Sequence, residues 1–393
     1  MPTNQTEPYL STYFHQKRNR LCLPIAGNFE LTARCNFNCP MCYVHMSADE
    51  VEKKGRELTT EQWINLAEVA RNKGMLFILI TGGEPFVRKD FFEIYGAMKK
   101  MGLMVSINSN GSMLEGEILE KLLADPPFRI NISLYGGCNE TYQRMCGLPM
   151  YDKVLKNIIT LKERGVDVRL NLSITPYNCD DIEKIYNIAV KHNIQVKASS
   201  YMYPPIRLEK EIEGYGNRLS PIDSARYSVE WDKLRFTEEE FKKRAENMKK
   251  LIEAETDRIT VEDGKKKTIS KDMVLDMNDC AAEMETDPKA GVTCRAGSTS
   301  FWMTWDGQMR PCGMMPGPTA YPLEVGFEEA WNTIREETKK IRQPAKCVNC
   351  SKKEVCGACA AVCVAETGAF DQVPEYMCER TENIIKMTWE KSV

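Results

Sequence analysis

Between about residues 29 and 200, short β-forming runs alternate with stretches that have the apolar spacing of amphipathic helices. Six strands are predicted, at residues 29–33, 76–81, 103–108, 129–134, 167–173 and 195–199. Because a helix separates each strand from the next, the strands must run parallel. The pattern predicts an α/β fold, a closed or partly closed (β/α)6 barrel, with its chemistry at the carboxyl ends of the strands.

Local signals support the helices of this pattern. Residues 61–73 follow Thr59, which has Gln62 three positions on, as in a capping box, and Gly74 marks the helix end. Residues 151–164 place their apolar side chains on one face, and Gly165 follows. Residues 181–192 repeat the arrangement.

Composition restricts the kind of protein. The 393 residues suit one large and one small domain, and the formal net charge of −3 gives no reason to expect nucleic-acid binding. The first 28 residues are polar and contain no secretory signal, and no apolar run approaches the roughly 20 residues of a membrane-spanning helix. A cytoplasmic protein is expected.

The sixteen cysteines are clustered, whereas the chain has three histidines. Three cysteines lie at 35–42 and nine lie between 280 and 378. In a reducing compartment such spacing indicates metal sites, and the shortage of imidazole favours thiolate ligation of iron–sulfur clusters or zinc. The remaining cysteines are scattered: Cys22, Cys138, Cys146 and Cys179.

The first cluster reads Cys35-x3-Cys39-x2-Cys42 and follows the first predicted strand. Three thiolates on a four-iron cluster leave one iron open for a non-protein ligand, as the fourth position of catalytic zinc is left open. The alternative is a structural zinc site in which His45 is the fourth ligand.

This spacing resembles the signature of radical S-adenosylmethionine (SAM) enzymes. The resemblance implies that the open iron binds the amino and carboxylate groups of SAM, which is cleaved to methionine and a 5′-deoxyadenosyl radical that abstracts a substrate hydrogen. One difference is that Met41 precedes the third cysteine, where the family often has an aromatic residue, and Tyr43 follows it.

Residues after the next strands fit the same family. The stretch Thr81-Gly82-Gly83-Glu84 resembles the family's GGE motif, which binds the SAM amino group, although alone it could be an ordinary strand-to-loop turn. Asn108 ends the third predicted strand, where the family contacts methionine or substrate.

The fourth strand and the helix after it provide two further candidates. Ser133 and Arg144 resemble residues of peptide-modifying members that contact the SAM ribose and carboxylate. Arginine suits the carboxylate because its guanidinium binds in a bidentate manner. The alternative for Arg144 is an ordinary surface helix residue.

The C-terminal cysteines resemble the SPASM domain, which carries auxiliary clusters in radical SAM maturases, over residues 280–378. The resemblance implies an α+β domain with two more [4Fe–4S] clusters, three in the chain. One cluster would use Cys347, Cys350, Cys356 and Cys378. The other would use Cys294 and Cys312, with Cys280 as its upstream ligand. Two structural zinc ribbons are the alternative.

The fourth central cysteine is ambiguous. The family usually has three residues between its third and fourth central cysteines, but after Cys356 this chain has Cys359 one position early and Cys363 three positions late. We slightly favour Cys363. The domain division is then a 1–28 extension, a 29–200 barrel, a 201–279 helical linker or insertion, a 280–378 SPASM domain and a 379–393 tail.

Family resemblance implies oxidative modification of a peptide or protein, such as a cross-link, with an external electron donor such as flavodoxin or ferredoxin. Only 28 residues precede the first predicted strand, so a separate leader-binding protein or the 201–275 segment would recognise any leader. Formylglycine formation is disfavoured because Gly313 stands where sulfatase maturases have an aspartate. Alternatives are an epimerase that uses Cys138 or Cys179 as hydrogen donor, and a non-catalytic iron–sulfur scaffold.

Overall fold

A parallel sheet with its strands in chain order forms the first half of the molecule. The computed structural model describes residues 23–204, 217–260, 287 and 289–392. Each strand pairs in parallel with the next along the chain. The strands are β1 (Ala26–Glu30), β2 (Phe77–Thr81), β3 (Met104–Ser109), β4 (Arg129–Ser133), β5 (Val168–Ser173) and β6 (Gln195–Ser199). The predicted α/β fold with a partial barrel is confirmed.

The first strand lies three residues earlier than the predicted 29–33. Gly27 lies inside β1, although a glycine in a strand interior usually argues against a strand. A Cβ atom there would lie 2.7 Å from Met75 Sδ and 2.9 Å from Phe301. The glycine therefore reflects close packing from two distant parts of the chain.

Helices separate the strands as predicted. Thr59 and Gln62 form the expected capping box, with the Gln62 amide donating to Thr59 Oγ1 at 3.2 Å and the Thr59 amide donating to Gln62 Oε1 at 2.9 Å. The helices of this half are α1 (Ala48–Lys54), α2 (Thr60–Asn72), α3 (Phe91–Lys100), α4 (Gly116–Ala124), α5 (Asn139–Cys146), α6 (Tyr151–Glu163) and α7 (Ile182–Lys191).

The two faces of the sheet differ in chemistry. Residues such as Ile107, Ile132 and Leu170 are fully buried and join the helices in one large apolar core. The alternating positions carry polar side chains that remain partly exposed, among them Asn108 and Asn131. Since helices cover one face, the polar face lines the interior of the partial barrel.

The C-terminal half extends the same sheet. Strand β7 (Ser300–Met303) pairs in parallel with β1, and β8 (Met309–Arg310) pairs antiparallel with β7. The eight-stranded order is β6-β5-β4-β3-β2-β1-β7-β8. The other helices are α8 (Pro221–Arg235), α9 (Glu238–Thr260), α10 (Pro322–Val325), α11 (Phe327–Lys340), α12 (Ala345–Val348), α13 (Ala360–Thr367) and α14 (Glu375–Glu390).

Polar contacts join the segment after β6 to α14. The Tyr376 hydroxyl donates to the Leu219 carbonyl at 2.7 Å, and Arg380 Nε donates to Ser224 Oγ at 2.7 Å. Helices α8 and α9 lie within residues 201–279, the segment predicted to be a helical linker or insertion. Among the described residues, no helix combines the length and apolar character that crossing a membrane requires.

Candidate active site

The loop that carries the first three cysteines is held by the backbone of the neighbouring strand. Beyond β1 the Leu31 amide still donates to the Thr81 carbonyl at 2.9 Å. The Gly83 amide then donates to the Thr32 carbonyl at 2.8 Å, and the Glu84 amide donates to the Arg34 carbonyl at 2.9 Å. These bonds place Cys35 at the carboxyl end of the sheet.

The two glycines of the GGE-like stretch are required by this approach. A Cβ atom on Gly83 would lie 2.3 Å from the Arg34 carbonyl oxygen, and one on Gly82 would lie 2.4 Å from the Thr32 carbonyl oxygen. Gly82 also has a φ of +144°. The obstructing atoms belong to the backbone, so a side chain at either position would push the cysteine loop away from β2. Glycine is therefore required for packing at both positions, independently of any ligand that this stretch binds.

The Glu84 side chain is fully buried and accepts hydrogen bonds from the chain itself. Its oxygens accept from the Asn110 amide at 2.7 Å, from Ser109 Oγ at 3.0 and 3.1 Å, and from the Phe86 amide at 3.3 Å. Burial raises the pKa of Glu84 to about 7, while these hydrogen bonds act in the opposite direction. The carboxyl group thus fixes the end of β3 beside the cysteine loop.

Amide donors point at the sulfurs of this loop. The Phe37 amide donates to Cys35 Sγ at 3.3 Å and the His45 amide donates to Cys42 Sγ at 3.3 Å, while Asn110 Nδ2 lies 3.6 Å from Cys35 Sγ. Burial raises the pKa of Cys35 to about 12, so iron must displace its proton on binding. Three soft sulfurs with amide donors fit an iron–sulfur cluster.

Two residues beside these cysteines were missed from the sequence. The side chain of Cys146, fully buried at the end of α5, lies next to Cys39. The Tyr135 side chain lies close to Ser133 and Cys39. Burial raises the pKa of Tyr135, and the nearby thiolates raise it further. The sequence offers no spacing signal for either contact.

The other predicted SAM contacts lie near the carboxyl ends of the strands. Asn108 Oδ1 accepts from Asn131 Nδ2 at 2.9 Å, and Ser133 lies on the same partly exposed polar face. Arg144 is exposed on α5, where its Nη2 donates to the Tyr177 carbonyl at 3.2 Å. Their contact with SAM stays a prediction.

The two candidate hydrogen donors contact neighbouring loops and helices. Cys138 Sγ lies 3.3 Å from Thr141 Oγ1 in the first turn of α5. Cys179 Sγ lies 3.8 Å from the Pro176 carbonyl oxygen and 3.9 Å from Asp180 Oδ1. Both side chains are partly exposed.

Four C-terminal cysteines come together. The thiols of Cys378, Cys350 and Cys356 lie close enough to Cys347 to add to the effect of burial, and the pKa of Cys347 rises to about 11. Thr381 Oγ1 donates to Cys356 Sγ at 3.4 Å. These are the four residues of one predicted auxiliary site, brought together from α12, the loop after it and α14.

A second group surrounds Tyr203, four residues beyond β6. The Tyr203 side chain packs against the same apolar cluster as Cys312, and Cys359 and Cys294 lie close to it. Cys363 lies in α13 and is 4% exposed, close to Cys347, Cys359 and Cys356. Cys280, the predicted upstream ligand of this group, lies outside the described residues, as do Cys22 and residues 205–216 and 261–286.

Gly313, next to Cys312, has a packing reason. A Cβ atom there would lie 2.7 Å from Trp302 Cε2, and Trp302 Nε1 donates to Glu30 Oε1 at 2.6 Å. An aspartate at position 313 would displace this indole. Across the described ranges, no three Cys, His, Asp or Glu side chains converge closely enough for a single metal ion. Each thiolate of a four-iron cluster binds a different iron, so such thiolates stand further apart.

Sequence comparisons agree with this site. Residues 29–189 match the model of the radical SAM superfamily. The AdoMet-dependent heme synthase of Methanosarcina barkeri is 27% identical over 359 residues, which cover 90% of this chain and 95% of the synthase. A probable GTP 3′,8-cyclase of Saccharolobus islandicus is 33% identical over 161 residues, which cover 40% of this chain and about half (51%) of the cyclase.

Solved structures share the fold over most of the chain. The Streptococcus suis protein SuiB bound to S-adenosylmethionine aligns with a TM-score of 0.61 at 17% identity, covering 94% of this chain and 80% of SuiB. The protein anSMEcpe with bound AdoMet aligns with a TM-score of 0.64 at 16% identity, covering 94% of this chain and 98% of that protein. At such identities the likeness concerns the fold.

Proposed function

We propose that the chain, whose residues 29–189 match the radical SAM superfamily, is a radical SAM enzyme with a C-terminal part of the SPASM type and that it oxidises a peptide or protein substrate. When bound, the barrel cluster and SAM supply the 5′-deoxyadenosyl radical that abstracts a hydrogen atom. The protein's own contribution is to hold the reacting groups at the barrel mouth and to receive the electron that oxidation releases.

The observation that carries the oxidative proposal is the position of the C-terminal cysteines. Tyr203, four residues past β6, lies among Cys294, Cys312 and Cys359, so thiolates for a second cluster stand next to the end of a barrel strand. After loss of a hydrogen atom, the substrate radical becomes a closed-shell product by losing one electron and one proton. Cys294, Cys312 and Cys359 would hold a cluster that could accept this electron, and a flavodoxin- or ferredoxin-type protein would carry the electron away.

Within the barrel, we assign the positioning of the first cluster to Glu84 and the glycine pair. Glu84 holds Ser109 and Asn110, and Asn110 in turn points at Cys35. Ser133 and Arg144 remain our candidates for the SAM ribose and carboxylate. Cys39, next to Cys146, would be the third ligand of this cluster, with Cys35 and Cys42.

Support for a peptide substrate comes from the shared fold. SuiB has been solved bound to its precursor peptide SuiA, and this chain aligns with that complex with a TM-score of 0.61 over 96% of its length. The polar interior face of the sheet offers amide and hydroxyl groups, such as Asn131 and Asn171, to an extended polar chain.

The heme synthase relative favours a second candidate substrate, an anionic tetrapyrrole. It matches this chain over nearly the full length of both proteins. The polar face also carries cations, because Arg169 pairs with Asn131 across β5 and β4, and Lys197 pairs with Asn171 across β6 and β5. Paired residues of neighbouring strands share a face, so both cations could meet carboxylate groups in the barrel.

The decisive experiment uses anaerobically reconstituted protein. We expect about 12 iron and 12 sulfide ions per chain from three four-iron clusters, and 5′-deoxyadenosine when reductant and SAM are added. Two zinc ions per chain without iron would overturn the proposal. Among substrates, a peptide encoded beside the gene should lose two hydrogen atoms in mass spectrometry. If instead the protein shifts the absorbance band of added heme and leaves such peptides unchanged, the tetrapyrrole candidate replaces the peptide.

A further inference from the structure

Strand β6 lies at one end of the sheet, so β5 pairs with one of its two edges. The Ile174 amide donates to the Ser199 carbonyl at 2.8 Å, which shows that the backbone of Ser199 faces the β5 side. Successive residues of a strand turn their backbone groups to opposite sides, so Lys197 faces β5 as well, whereas Val196 and Ala198 face away. Two amides and two carbonyls therefore lie along the outer edge of β6.

These four backbone groups are open. Within the described part of the chain, no hydrogen bond reaches the amide or the carbonyl of Val196 or Ala198 on this side. Their side chains pack against the same apolar core as Ile185 of α7, so the strand is held in place although its edge is bare. An unpaired strand edge of this kind can bind another extended chain through main-chain hydrogen bonds.

An added strand would continue the polar interior of the barrel. Asn131, Arg169 and Gln195 are in register across β4, β5 and β6, and Asn171 is in register with Lys197. A residue placed beside Gln195 or Lys197 on an added strand would share this face. Strands β1 to β6 all run parallel, so the carboxyl end of β6 lies at the same end of the sheet as the loop with the first three cysteines. A chain alongside β6 would thus lead to the barrel mouth.

The properties of the edge favour one extended peptide over a second copy of this chain. The strand has five residues, and Lys197 is exposed on the inward face without an ion-pair partner among the described residues. A short strand with an inward-facing charge resists pairing with another sheet. An acidic side chain on a peptide, placed opposite Lys197, would neutralise that charge. A tetrapyrrole has no main chain to bond the open amides and carbonyls.

We propose that the substrate peptide binds as an additional strand on β6, hydrogen-bonded to the main chain of Val196 and Ala198, with an acidic side chain beside Lys197. This inference rests on the proposed peptide substrate and states how the barrel holds it. Main-chain bonds accept an extended peptide of almost any sequence, and the alternate side chains that face the barrel interior provide the specificity. The residue to be modified would follow the added strand, at the barrel mouth.

The first test replaces one edge residue in the fully reconstituted protein, with the peptide encoded beside the gene as the probe. Ala198→Pro removes one edge N–H, and the fold tolerates proline there because this N–H faces away from β5. The KM for the peptide should rise about tenfold with little change in kcat, because the lost hydrogen bond is made equally before and during reaction. Iron content at the wild-type level shows that the variant is folded.

Glu238→Pro is the matched control. It places a proline at the exposed first residue of α9, where the N–H has no partner within the helix. The variant should keep the wild-type KM for the peptide. An equal rise of KM in both proline variants would mean that the effect does not come from the β6 edge.

The second test needs no substitution. Amide hydrogen exchange of wild-type protein, read residue by residue in a mass spectrometer, should be fast at Val196 and Ala198 without peptide and slow at saturating peptide. The amides of Lys197 and Ser199 face β5 and should be protected in both states. They are therefore the internal reference.

Two results would overturn this inference while the wild-type protein still modifies the peptide. One is a wild-type KM in Ala198→Pro, and the other is fast exchange at Val196 and Ala198 in the presence of saturating peptide. If Ala198→Pro loses its iron, the exchange measurement on wild-type protein decides. A wild-type protein that cleaves SAM but leaves the peptide unmodified would refute the proposed peptide substrate instead.

Discussion

The buried carboxyl group of Glu84 predicts an unusual pH dependence of stability. In the folded chain burial raises the pKa of Glu84 from 4.5 to about 7, a difference of about 2.5 pH units. At 1.36 kcal/mol per unit, this corresponds to about 3 kcal/mol. Because the folded-state pKa is the higher one, the folded chain binds the proton more tightly. The resulting stabilisation of the folded chain is fully present below pH 4.5 and is lost as the pH rises through 7.

Glu84→Gln removes the titration while keeping a neutral group of the same shape. Applying linkage to the two pKa values, wild-type protein should lose about 2 kcal/mol relative to the variant between pH 5.5 and 8.5. For a chain of this size that is a relative change of about 2 °C in Tm. Thermal unfolding of anaerobically purified protein at pH 5.5, 7.0 and 8.5 measures it.

Between pH 5.5 and 8.5 the effect of Glu84 is separated from those of Asp90 and Cys347. Hydrogen bonds and the Arg88 charge hold the pKa of Asp90 at about 2 against the effect of burial, so its contribution changes in more acidic solution. Burial and the neighbouring thiolates raise the pKa of Cys347 to about 11, so that group acts in more basic solution. The exposed Glu120 provides the matched control through Glu120→Gln, which should follow the wild-type curve. Parallel pH profiles for wild type and Glu84→Gln would refute the reasoning.

Three other predictions follow from contacts described above. Gly83→Ala should lose the iron of the barrel cluster in an anaerobic iron assay, because the added Cβ would lie 2.3 Å from the Arg34 carbonyl oxygen. The control Gly96→Ala, whose Cβ would have no atom within 4 Å, should keep that iron. Equal iron contents in the two variants would contradict this prediction. Arg218→Met leaves the buried Glu366 carboxylate without its ion-pair partner and should lower the free energy of unfolding by about 3–5 kcal/mol. Thermal unfolding measures this loss, and an unchanged Tm would contradict the prediction. Cys138→Ala and Cys179→Ala should each retain product formation as well as SAM cleavage; loss of product alone would support an epimerase.

Much of the barrel could be predicted because its information is local. Alternation of apolar residues and capping signals such as Thr59 with Gln62 depend on neighbours in sequence, and five of the six strands lie within one residue of their predicted bounds. The start of β1 could not be predicted, since Gly27 is accommodated by Met75 and Phe301. The pairing of β7 with β1 was missed for the same reason, because it joins residues about 270 positions apart.

For the site as well, the sequence predicted what depends on local spacing and missed what depends on side-chain direction. Spacing predicted the cysteine loop at 35–42, and the structure gathers the four cysteines 347, 350, 356 and 378. Spacing left Cys359 and Cys363 as alternatives, because neither stands at the family's usual distance from Cys356. Nor could it show which way Cys138 and Cys179 point, since a position after a strand does not fix the direction of a side chain.

The parallel pairing of β7 with β1 has a consequence for how the two halves can be separated. A barrel cut off before residue 287 would present the hydrogen-bonding groups of β1 to solvent, since Ala26–Phe29 are registered with Ser300–Met303. A strand edge of this kind is a template for pairing with other chains. The isolated barrel should therefore aggregate, and a transplant of the cysteine-rich part onto another barrel would have to carry β7 as its covering strand. In evolution, the cysteine-rich part could thus be exchanged between barrels only together with strand β7.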